Sequence, residues 1–305
     1  MTGAPAPRSP PAEPPPAGEP WTVLRLIRWS AAYLEGKGVE RARLDAEHLL
    51  AHTLGMGRLD LYLHFDRPLT AEELDAFKPR LLERARRKPL QYILERTSFR
   101  ELELRTDSRV LIPRPETEEL VEAVLARVRE WGGEGLRALD VGTGSGAIAL
   151  SLALEGPFGR VVATDNSPEA LELARLNAAD TDLGSRVEFR EGDLLEPVDP
   201  GERFHVLVSN PPYVTEEEFR ELEPEVREWE PRKALVAAGG GKAILAALVE
   251  GGIQVLEPGG LLALEVGSGQ AEAVARRIRE TPGYGAPLIL KDLSGRERII
   301  LAERA

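Results

Sequence analysis

A glycine-rich stretch at residues 140–146 decides the fold of this chain and reads Asp140-Val141-Gly142-Thr143-Gly144-Ser145-Gly146. It ends a predicted strand at 136–141 and precedes a helix predicted to begin near Ala147. Glycine adopts backbone conformations that other residues avoid, so the chain here can turn sharply and approach a ligand closely. In doubly wound sheets, ligands bind outside the carboxyl ends of the strands. The stretch therefore predicts a ligand-binding turn, and a tight turn without a ligand is the alternative interpretation.

Short apolar runs alternate with amphipathic segments from Gly135 onward. Strands are predicted at 136–141, 161–165, 187–191, 205–209, 261–266, 288–291 and 299–302. The segment 168–179 is predicted to be a helix, with Asn166 or Ser167 as its N-cap and Pro168 in its first turn. Strands joined by crossover helices form a parallel sheet, and the close spacing of the last two strands predicts a hairpin. The predicted fold class is α/β, a doubly wound domain with seven strands.

The first part of the chain has a different pattern. Apolar residues between Trp21 and Lys88 recur with helical periodicity, and Thr70 with Glu73 has the spacing of a capping box. We therefore predict a small N-terminal helical domain, which serves either as a scaffold or as a module that docks a macromolecular substrate. The predicted boundaries are a proline-rich disordered tail at 1–20, the helical domain at 21–90, a linker at 91–119 and the α/β domain at 120–305.

Composition excludes several classes of protein. The 305 residues include no cysteine, which rules out disulfides and thiolate chemistry, and no apolar run is long enough to cross a membrane. The first twenty residues contain eight prolines and no signal-peptide core, so we expect a soluble, cytoplasmic protein. The net charge of −12 disfavours stable binding to nucleic acids. No metal site is predicted.

Two further positions predict a nucleoside ligand. The Gly-x-Gly-x-Gly spacing differs from the dinucleotide fingerprint and favours a nucleoside that carries an amino-acid tail. Asp165 ends the second predicted strand, where a carboxylate can accept hydrogen bonds from both ribose hydroxyls. Asp193 follows the third strand and can accept a hydrogen bond from an adenine amino group, although an isolated aspartate there is more often a turn cap. Together the three strand ends favour the nucleoside.

The residues Ser209-Asn210-Pro211-Pro212-Tyr213 follow the fourth predicted strand. Two prolines fix the backbone, so that the Asn210 side chain and the Pro211 carbonyl can both accept hydrogen bonds from one NH2 group. A flat amino group, such as an amide or an aromatic amine, is the substrate that this arrangement fits. In isolation the motif would more often be a turn with a packed ring, but its position after a strand and downstream of the glycine loop favours methyl transfer to nitrogen.

Three alternatives remain at this point. An amino-methyltransferase that acts on adenine or guanine of DNA or RNA would use the same residues, and a basic stretch at 80–88 keeps it open despite the net charge. A nicotinamide-dependent oxidoreductase is disfavoured by the glycine spacing and by the lack of a catalytic His or Tyr in context. A non-catalytic nucleoside-binding module would leave the Asn-Pro-Pro-Tyr motif without a purpose.

The chain resembles the release factor glutamine N5-methyltransferases, the PrmC/HemK family, from about Leu44 to Arg298. The residues that carry the resemblance are Pro89-Leu90-Gln91-Tyr92-Ile93, Leu111-Ile112-Pro113-Arg114-Pro115-Glu116-Thr117-Glu118, the glycine loop, Asn210-Pro211-Pro212-Tyr213 and Glu230-Pro231-Arg232 with Ala234-Leu235. The resemblance implies a class I S-adenosylmethionine-dependent methyltransferase. Its acceptor would be the glutamine of the Gly-Gly-Gln motif in class I peptide chain release factors, and the helical domain would help to engage them.

The resemblance also implies roles for individual residues. The glycine loop would hold the methionine end of the cofactor, Asp165 the ribose, and Asp193 with Leu194 the adenine, although many family members carry an aromatic residue at the position of Leu194. The implied cofactor-binding residues are Asp140, Gly142, Thr143, Gly144, Ser145, Gly146, Asp165, Asp193, Leu194 and Asn210. The implied catalytic residues, around the glutamine amide, are Asn210, Pro211, Pro212 and Tyr213. We expect a monomer that catalyses an in-line methyl displacement, mainly by positioning and electrostatics.

Overall fold

The computed structural model describes residues 19–305, which form two compact units. The first unit comprises the described residues up to Glu95 together with Pro224–Trp229, and the second comprises Arg96–Glu223 and Glu230–Ala305. Of the tail predicted at 1–20, only Glu19 and Pro20 lie within the described residues. Within residues 19–305, no helix is both long and apolar enough to span a membrane.

The first unit is entirely helical. Its helices are α1 (Val23–Gly36), α2 (Ala42–Leu54), α3 (Arg58–Leu63), α4 (Ala71–Ala85), α5 (Leu90–Leu94) and α10 (Pro224–Trp229). Buried apolar residues of α1, α2 and α4, such as Ile27, Leu50 and Phe77, form its core. The predicted capping box is confirmed, because the Thr70 hydroxyl accepts from the Glu73 N–H at 3.2 Å and the Glu73 carboxylate accepts from the Thr70 N–H at 2.9 Å.

Ion pairs explain why a distant segment belongs to the helical unit. Arg84, buried in α4, donates from Nε to Asp45 at 2.7 Å and from Nη2 to Glu225 of α10 at 2.9 Å. Arg87 donates to the same Glu225 carboxylate at 2.5 Å. Buried charges are tolerated when each has a partner, so Asp45 and Glu225 compensate the buried Arg84, and Glu225 also pairs with the half-buried Arg87. Two arginines of the basic stretch 80–88, Arg84 and Arg87, are therefore paired with carboxylates of the same unit.

The second unit opens with a hairpin that the sequence pattern does not predict. Strands β1 (Arg96–Phe99) and β2 (Leu102–Arg105) pair antiparallel within the segment predicted as a linker. The same segment contains the end of α5 and the start of α6 (Pro115–Trp131). Two strands of four residues give too short an alternation for a confident assignment from sequence. The segment predicted as a linker therefore contains two strands and parts of two helices.

The predicted seven-stranded sheet is confirmed. Its strands are β3 (Leu136–Val141), β4 (Phe158–Asp165), β5 (Val187–Glu191), β6 (Phe204–Ser209), β7 (Leu256–Glu265), β8 (Leu288–Lys291) and β9 (Glu297–Glu303). They lie in the order β5-β4-β3-β6-β7-β9-β8. Neighbours from β5 to β7 are parallel, whereas β9 runs antiparallel to both β7 and β8, as the predicted terminal hairpin requires. The chain reverses direction across the sheet between β3 and β6, where such folds bind ligands.

Helices cover both faces of this sheet. They are α6, α7 (Ala147–Glu155), α8 (Pro168–Asp180), α12 (Lys242–Val255) and α13 (Ala271–Glu280). The short helices α9 (Glu216–Glu221) and α11 (Arg232–Leu235) and a 3-10 turn at Ala238–Gly241 lie in the connection between β6 and α12. Successive strand residues point to opposite faces. Val206 and Val208 accordingly pack in the same core cluster as α6 and α7, and Leu207 packs with α12 and α13. Two apolar layers therefore hold the strand ends in place.

Candidate active site

The glycine loop joins β3 to α7 at the predicted edge of the sheet. Gly142 and Gly144 have φ angles of 75° and 56°, in the left-handed region that favours glycine. A Cβ atom added to either residue would meet no heavy atom within 4 Å, so both face open space. Thr143 lies between them and Ser145 follows Gly144, and both are buried. The loop therefore forms a cradle in which a ligand can contact backbone without side chains in between.

Asp140 lies behind this loop instead of facing the ligand space. Its carboxylate is fully buried, and Oδ2 accepts from the Thr143 hydroxyl at 2.6 Å and from the Ala149 N–H at 3.2 Å. Within the described residues, Oδ1 has no hydrogen-bond partner. Burial raises the pKa of Asp140 to about 7. The structure thus gives Asp140 a supporting position under the loop, which differs from the cofactor contact expected from the sequence.

We expect the substitution Asp140→Asn to remove a pH dependence of stability. A carboxyl whose pKa is about 7 in the folded state, against about 3.9 when unfolded, is protonated in the native protein at low pH. Stability therefore falls as the pH rises through that window. The Asn carbonyl can accept both hydrogen bonds without ionising. Between about pH 5 and about pH 7, thermal unfolding should show the parent protein losing about 2 kcal/mol relative to the variant; parallel pH profiles would contradict this.

Acidic side chains border the cradle at the next two strand ends. Asp165, at the end of β4, is half-buried, and its two oxygens accept from the N–H groups of Gly144 and Ser167, each at 2.9 Å. Burial raises the pKa of this carboxyl. Each carboxylate oxygen still has a further lone pair for a ligand hydroxyl. Asp193 follows β5 and is exposed, with the Asn166 amide donating to it at 3.5 Å. Leu194 beside it adopts a left-handed φ of 48°.

Asn210 follows β6 directly, and its side chain has a defined partner. Its Nδ2 donates to the hydroxyl of Thr117 at 2.9 Å. Thr117 lies in the first turn of α6 and is buried. The Thr117 hydroxyl in turn donates to Oε2 of Glu265 at 2.7 Å. Because the amide nitrogen of Asn210 is held by Thr117, its carbonyl oxygen is left to accept from a ligand.

Glu265 connects this network to Tyr213. Glu265 ends β7 and is almost completely buried, and the Tyr213 hydroxyl donates to its Oε1 at 3.0 Å. Burial raises the pKa of Glu265, while the hydrogen bonds from Thr117 and Tyr213 and the charge of Arg298 oppose that shift. The Arg298 guanidinium lies 5.7 Å from the centre of the Tyr213 ring. Burial and the negative charge of Glu265 raise the pKa of Tyr213, which keeps its phenol protonated.

One pocket collects most of the residues named from the sequence. It is lined by Gly142, Thr143, Gly144, Ser145, Asp165, Asp193, Leu194, Asn210, Pro211 and Pro212. Asp140, Gly146 and Tyr213 do not line it. Gly146 instead caps α7, and the Tyr213 hydroxyl is connected to the pocket-lining Thr117 through Glu265. An open backbone cradle, a carboxylate and an amide acceptor together match a nucleoside with an amino-acid tail and a nearby amino group.

Other residues of the pocket were not predicted. Thr117 lines it, as does Arg114, whose guanidinium donates to Glu230 at 2.5 Å. Glu230 is buried and also accepts from the Ile112 N–H at 3.2 Å; burial raises its pKa. The segments 111–118 and 230–232, both quoted above for the family resemblance, are therefore joined in space. Only the family motifs gave a signal for these residues, because their partners are more than 90 residues apart in the chain.

Comparison with known families matches both parts of the chain. The PrmC N-terminal domain model matches residues 25–94, which lie in the helical unit. The methyltransferase small domain model matches residues 117–224, which include the glycine loop, Asp165 and the Asn-Pro-Pro-Tyr motif. The first match therefore falls in the helical unit, and the second covers part of the unit that contains the seven-stranded sheet.

Curated relatives that this chain matches carry the name release factor glutamine methyltransferase. The protein from Geobacter sulfurreducens is 42% identical over 92% of this chain and 96% of its own length. The protein from Rhodopirellula baltica is 38% identical over 94% of this chain and 97% of its own length. A methyltransferase structure from Pyrococcus furiosus, 21% identical, covers 67% of this chain and 89% of that chain with a TM-score of 0.50, which supports the fold. The chain belongs to the release factor glutamine methyltransferase family, and its methyl donor is S-adenosylmethionine.

Proposed function

We propose that this enzyme transfers a methyl group from S-adenosylmethionine to N5 of the glutamine in the Gly-Gly-Gln motif of class I peptide chain release factors. The observation that carries the proposal is the orientation of Asn210, whose amide nitrogen is bound by Thr117 at the wall of the pocket. Its carbonyl oxygen is then an acceptor for a substrate NH2 group. The names of the relatives support a release factor as the acceptor protein.

The residues around the cradle suit the cofactor. In our proposal the backbone at Gly142 and Gly144 binds the methionine portion, where side chains would interfere. Asp165, already oriented by two backbone N–H groups, accepts from the ribose hydroxyls. Asp193 and Leu194, which line the same pocket, would lie beside the adenine. Asp140 supports the loop from behind through Thr143.

The acceptor chemistry requires positioning more than proton abstraction. The lone pair of an amide nitrogen is delocalised, so hydrogen bonds from its two protons to Asn210 and to the Pro211 carbonyl favour a pair localised on nitrogen. S-adenosylmethionine, when bound, would supply the methyl group: the nitrogen would bond to the methyl carbon as the carbon–sulfur bond breaks, with S-adenosylhomocysteine as the leaving group. The nitrogen then releases a proton, since it has become acidic. Preorganised acceptors of this kind stabilise charge that develops in the transition state.

The charges of the helical unit weigh against the nucleic-acid alternative. Three cations of the basic stretch 80–88 contact carboxylates of the same unit: Arg84 and Arg87 contact Glu225, and Lys88 contacts Glu83 at 2.8 Å. Paired cations contribute less to the neutralisation of phosphates than free ones do. The overall charge of −12 acts in the same direction. These observations favour a protein acceptor.

A comparison of acceptors tests the proposal. The enzyme is incubated with methyl-labelled S-adenosylmethionine and, separately, with an intact class I release factor, a short Gly-Gly-Gln peptide, double-stranded DNA or ribosomal RNA. We expect rapid labelling of the factor, slower labelling of the peptide and background labelling of both nucleic acids. The peptide is slower because contacts remote from the reacting centre contribute to orientation. Comparable labelling of a nucleic acid, or none of the factor, would refute the proposal.

A further inference from the structure

Four side chains connect the pocket wall to the interior of the second unit. Asn210 donates to Thr117, Thr117 donates to Glu265, and Tyr213 donates to the other oxygen of the same carboxylate. We call these residues, Asn210, Thr117, Glu265 and Tyr213, the amide chain. Only Asn210 and Thr117 line the pocket, and Glu265 is almost completely buried. The amide chain therefore joins the proposed substrate contact, Asn210, to a buried carboxylate that a substrate does not reach.

The direction of each hydrogen bond follows from the chemistry of Glu265. In its ionised form Glu265 has no proton to donate, so both of its partners are donors, which are the directions in which the Thr117 and Tyr213 hydroxyls bond to it. The Thr117 hydroxyl has one proton, and once it is directed at Glu265 the oxygen can only accept from Asn210. Asn210 must then present its NH2 group to Thr117 and keep its carbonyl oxygen on the opposite side. A side-chain amide is otherwise nearly symmetric in shape and can be placed either way.

We propose that Thr117 and Glu265 are positioning residues that fix the orientation of the Asn210 amide and thereby determine which acceptor the enzyme uses. The proposal depends on the proposed function, in which Asn210 accepts from the NH2 of a glutamine. With the amide chain intact, the Asn210 carbonyl oxygen faces the pocket and can accept a hydrogen bond from an amino group. With the amide of Asn210 reversed, the pocket offers a donor, which faces the protons of an amide NH2 and suits a carboxylate instead. Selectivity for an amide is thus controlled by a buried acid that does not touch the acceptor.

Thr117 is the residue at which the proposal can be tested with matched variants. Thr117→Val keeps the branched shape and removes the hydroxyl, and Thr117→Ala removes the hydroxyl without adding bulk. Thr117→Ser retains the hydroxyl and loses only a methyl group. If the hydroxyl orients Asn210, the first two variants should behave alike and the third should resemble the parent protein. If Thr117 acted only through its shape, Thr117→Val would resemble the parent protein, whereas Thr117→Ala and Thr117→Ser would both differ from it.

The orientation of Asn210 can be observed directly, because the chain contains only three asparagines: Asn166, Asn177 and Asn210. Selective labelling with 15N-asparagine gives three side-chain NH2 signals, and the one missing from Asn210→Ala is that of Asn210. Asn177 is an internal control, since it is buried and donates to Arg105 and Ser145 carbonyls at 3.1 and 2.9 Å. An unchanged Asn177 signal shows that a variant is folded around the glycine loop.

In the parent protein and in Thr117→Ser, we expect an Asn210 NH2 signal that exchanges slowly with water. In Thr117→Val and Thr117→Ala it should shift and exchange at least about tenfold faster, because the acceptor is lost. Methyl transfer to the release factor should fall about tenfold or more in kcat in the same two variants. The KM for S-adenosylmethionine should stay within about twofold, since the cofactor contacts are unchanged.

Each arm has a result that overturns the proposal. An Asn210 signal that is the same in the Val, Ala and Ser variants means that Thr117 does not orient the amide. An altered signal with unchanged kcat means that the orientation does not control transfer. If Thr117→Ser loses as much activity as Thr117→Val, the hydroxyl is not the relevant group. The NMR arm needs no acceptor, so failure of the parent enzyme to methylate the factor would count against the proposed function alone.

Discussion

Replacement of Asn210 by alanine is expected to lower the turnover of methyl transfer about 100-fold or more, with little change in cofactor affinity. Asn210 provides the side-chain acceptor for the attacking amide and is held in place by Thr117. Alanine removes that acceptor and leaves Thr117 without its donor. The glycine cradle and Asp165, which we assign to the cofactor, do not depend on Asn210 for any hydrogen bond.

Single-turnover methyl transfer with saturating cofactor and release factor measures this effect on the chemical step. Titration calorimetry with S-adenosylhomocysteine provides the control, because the variant should bind it as the parent protein does. Thermal unfolding establishes that the variant is folded. A variant that transfers the methyl group as fast as the parent would show that Asn210 does not act on the nitrogen. If the variant transferred the methyl group slowly and its affinity for S-adenosylhomocysteine fell by a similar factor, Asn210 would instead be a cofactor-binding residue.

Replacement of the acceptor glutamine by glutamate is expected to abolish methylation of the release factor. A carboxylate has no NH2 protons, and it would face the Asn210 oxygen and the Pro211 carbonyl, which are both acceptors. Sites that form hydrogen bonds to a substrate group reject analogues that lack it by large factors. The rate should therefore fall to the background of a reaction without enzyme.

A release factor with asparagine in place of the glutamine is the matched control. It keeps an amide NH2 on a side chain that is one methylene shorter, so we expect reduced but measurable transfer. The glutamate variant tests whether the acceptor needs an NH2 group, and the asparagine variant tests whether its side chain needs the length of glutamine. Transfer to the glutamate variant would contradict the role given to the NH2 group, because the methyl group would then enter on oxygen.

The fold follows closely from local pattern. The predicted strands at 136–141, 187–191 and 288–291 coincide with β3, β5 and β8, since short runs of strand-forming residues between turn residues leave a clear signal in the sequence. The glycine loop was recognisable because its backbone conformation demands glycine at Gly142 and Gly144. Placement of Asp165, Asp193 and Asn210 at one edge followed from the parallel arrangement of the strands. These residues do line one pocket.

Partnerships between distant residues could not be predicted in this way. Thr117 and Glu265 are 148 residues apart, and neither has a local pattern that distinguishes it from an ordinary helix or strand residue. Asp140 adjoins the glycine loop in sequence, but the side of the loop that its carboxylate occupies is decided by the packing of α7. Glu225 contributes to the helical unit through Arg84 and Arg87, although it lies far along the chain. Tertiary contacts determine these positions, and periodicity carries no information on them.

The most direct test of the proposed activity is mass spectrometry of a class I release factor after incubation with the enzyme and isotopically labelled S-adenosylmethionine. Digestion and fragmentation locate the label within the protein. We predict one methyl group per factor, on the side-chain nitrogen of the Gly-Gly-Gln glutamine, and none in reactions without enzyme or with the glutamate variant of the factor. A label on any other residue, or an unlabelled glutamine after complete turnover of the cofactor, would contradict the assignment.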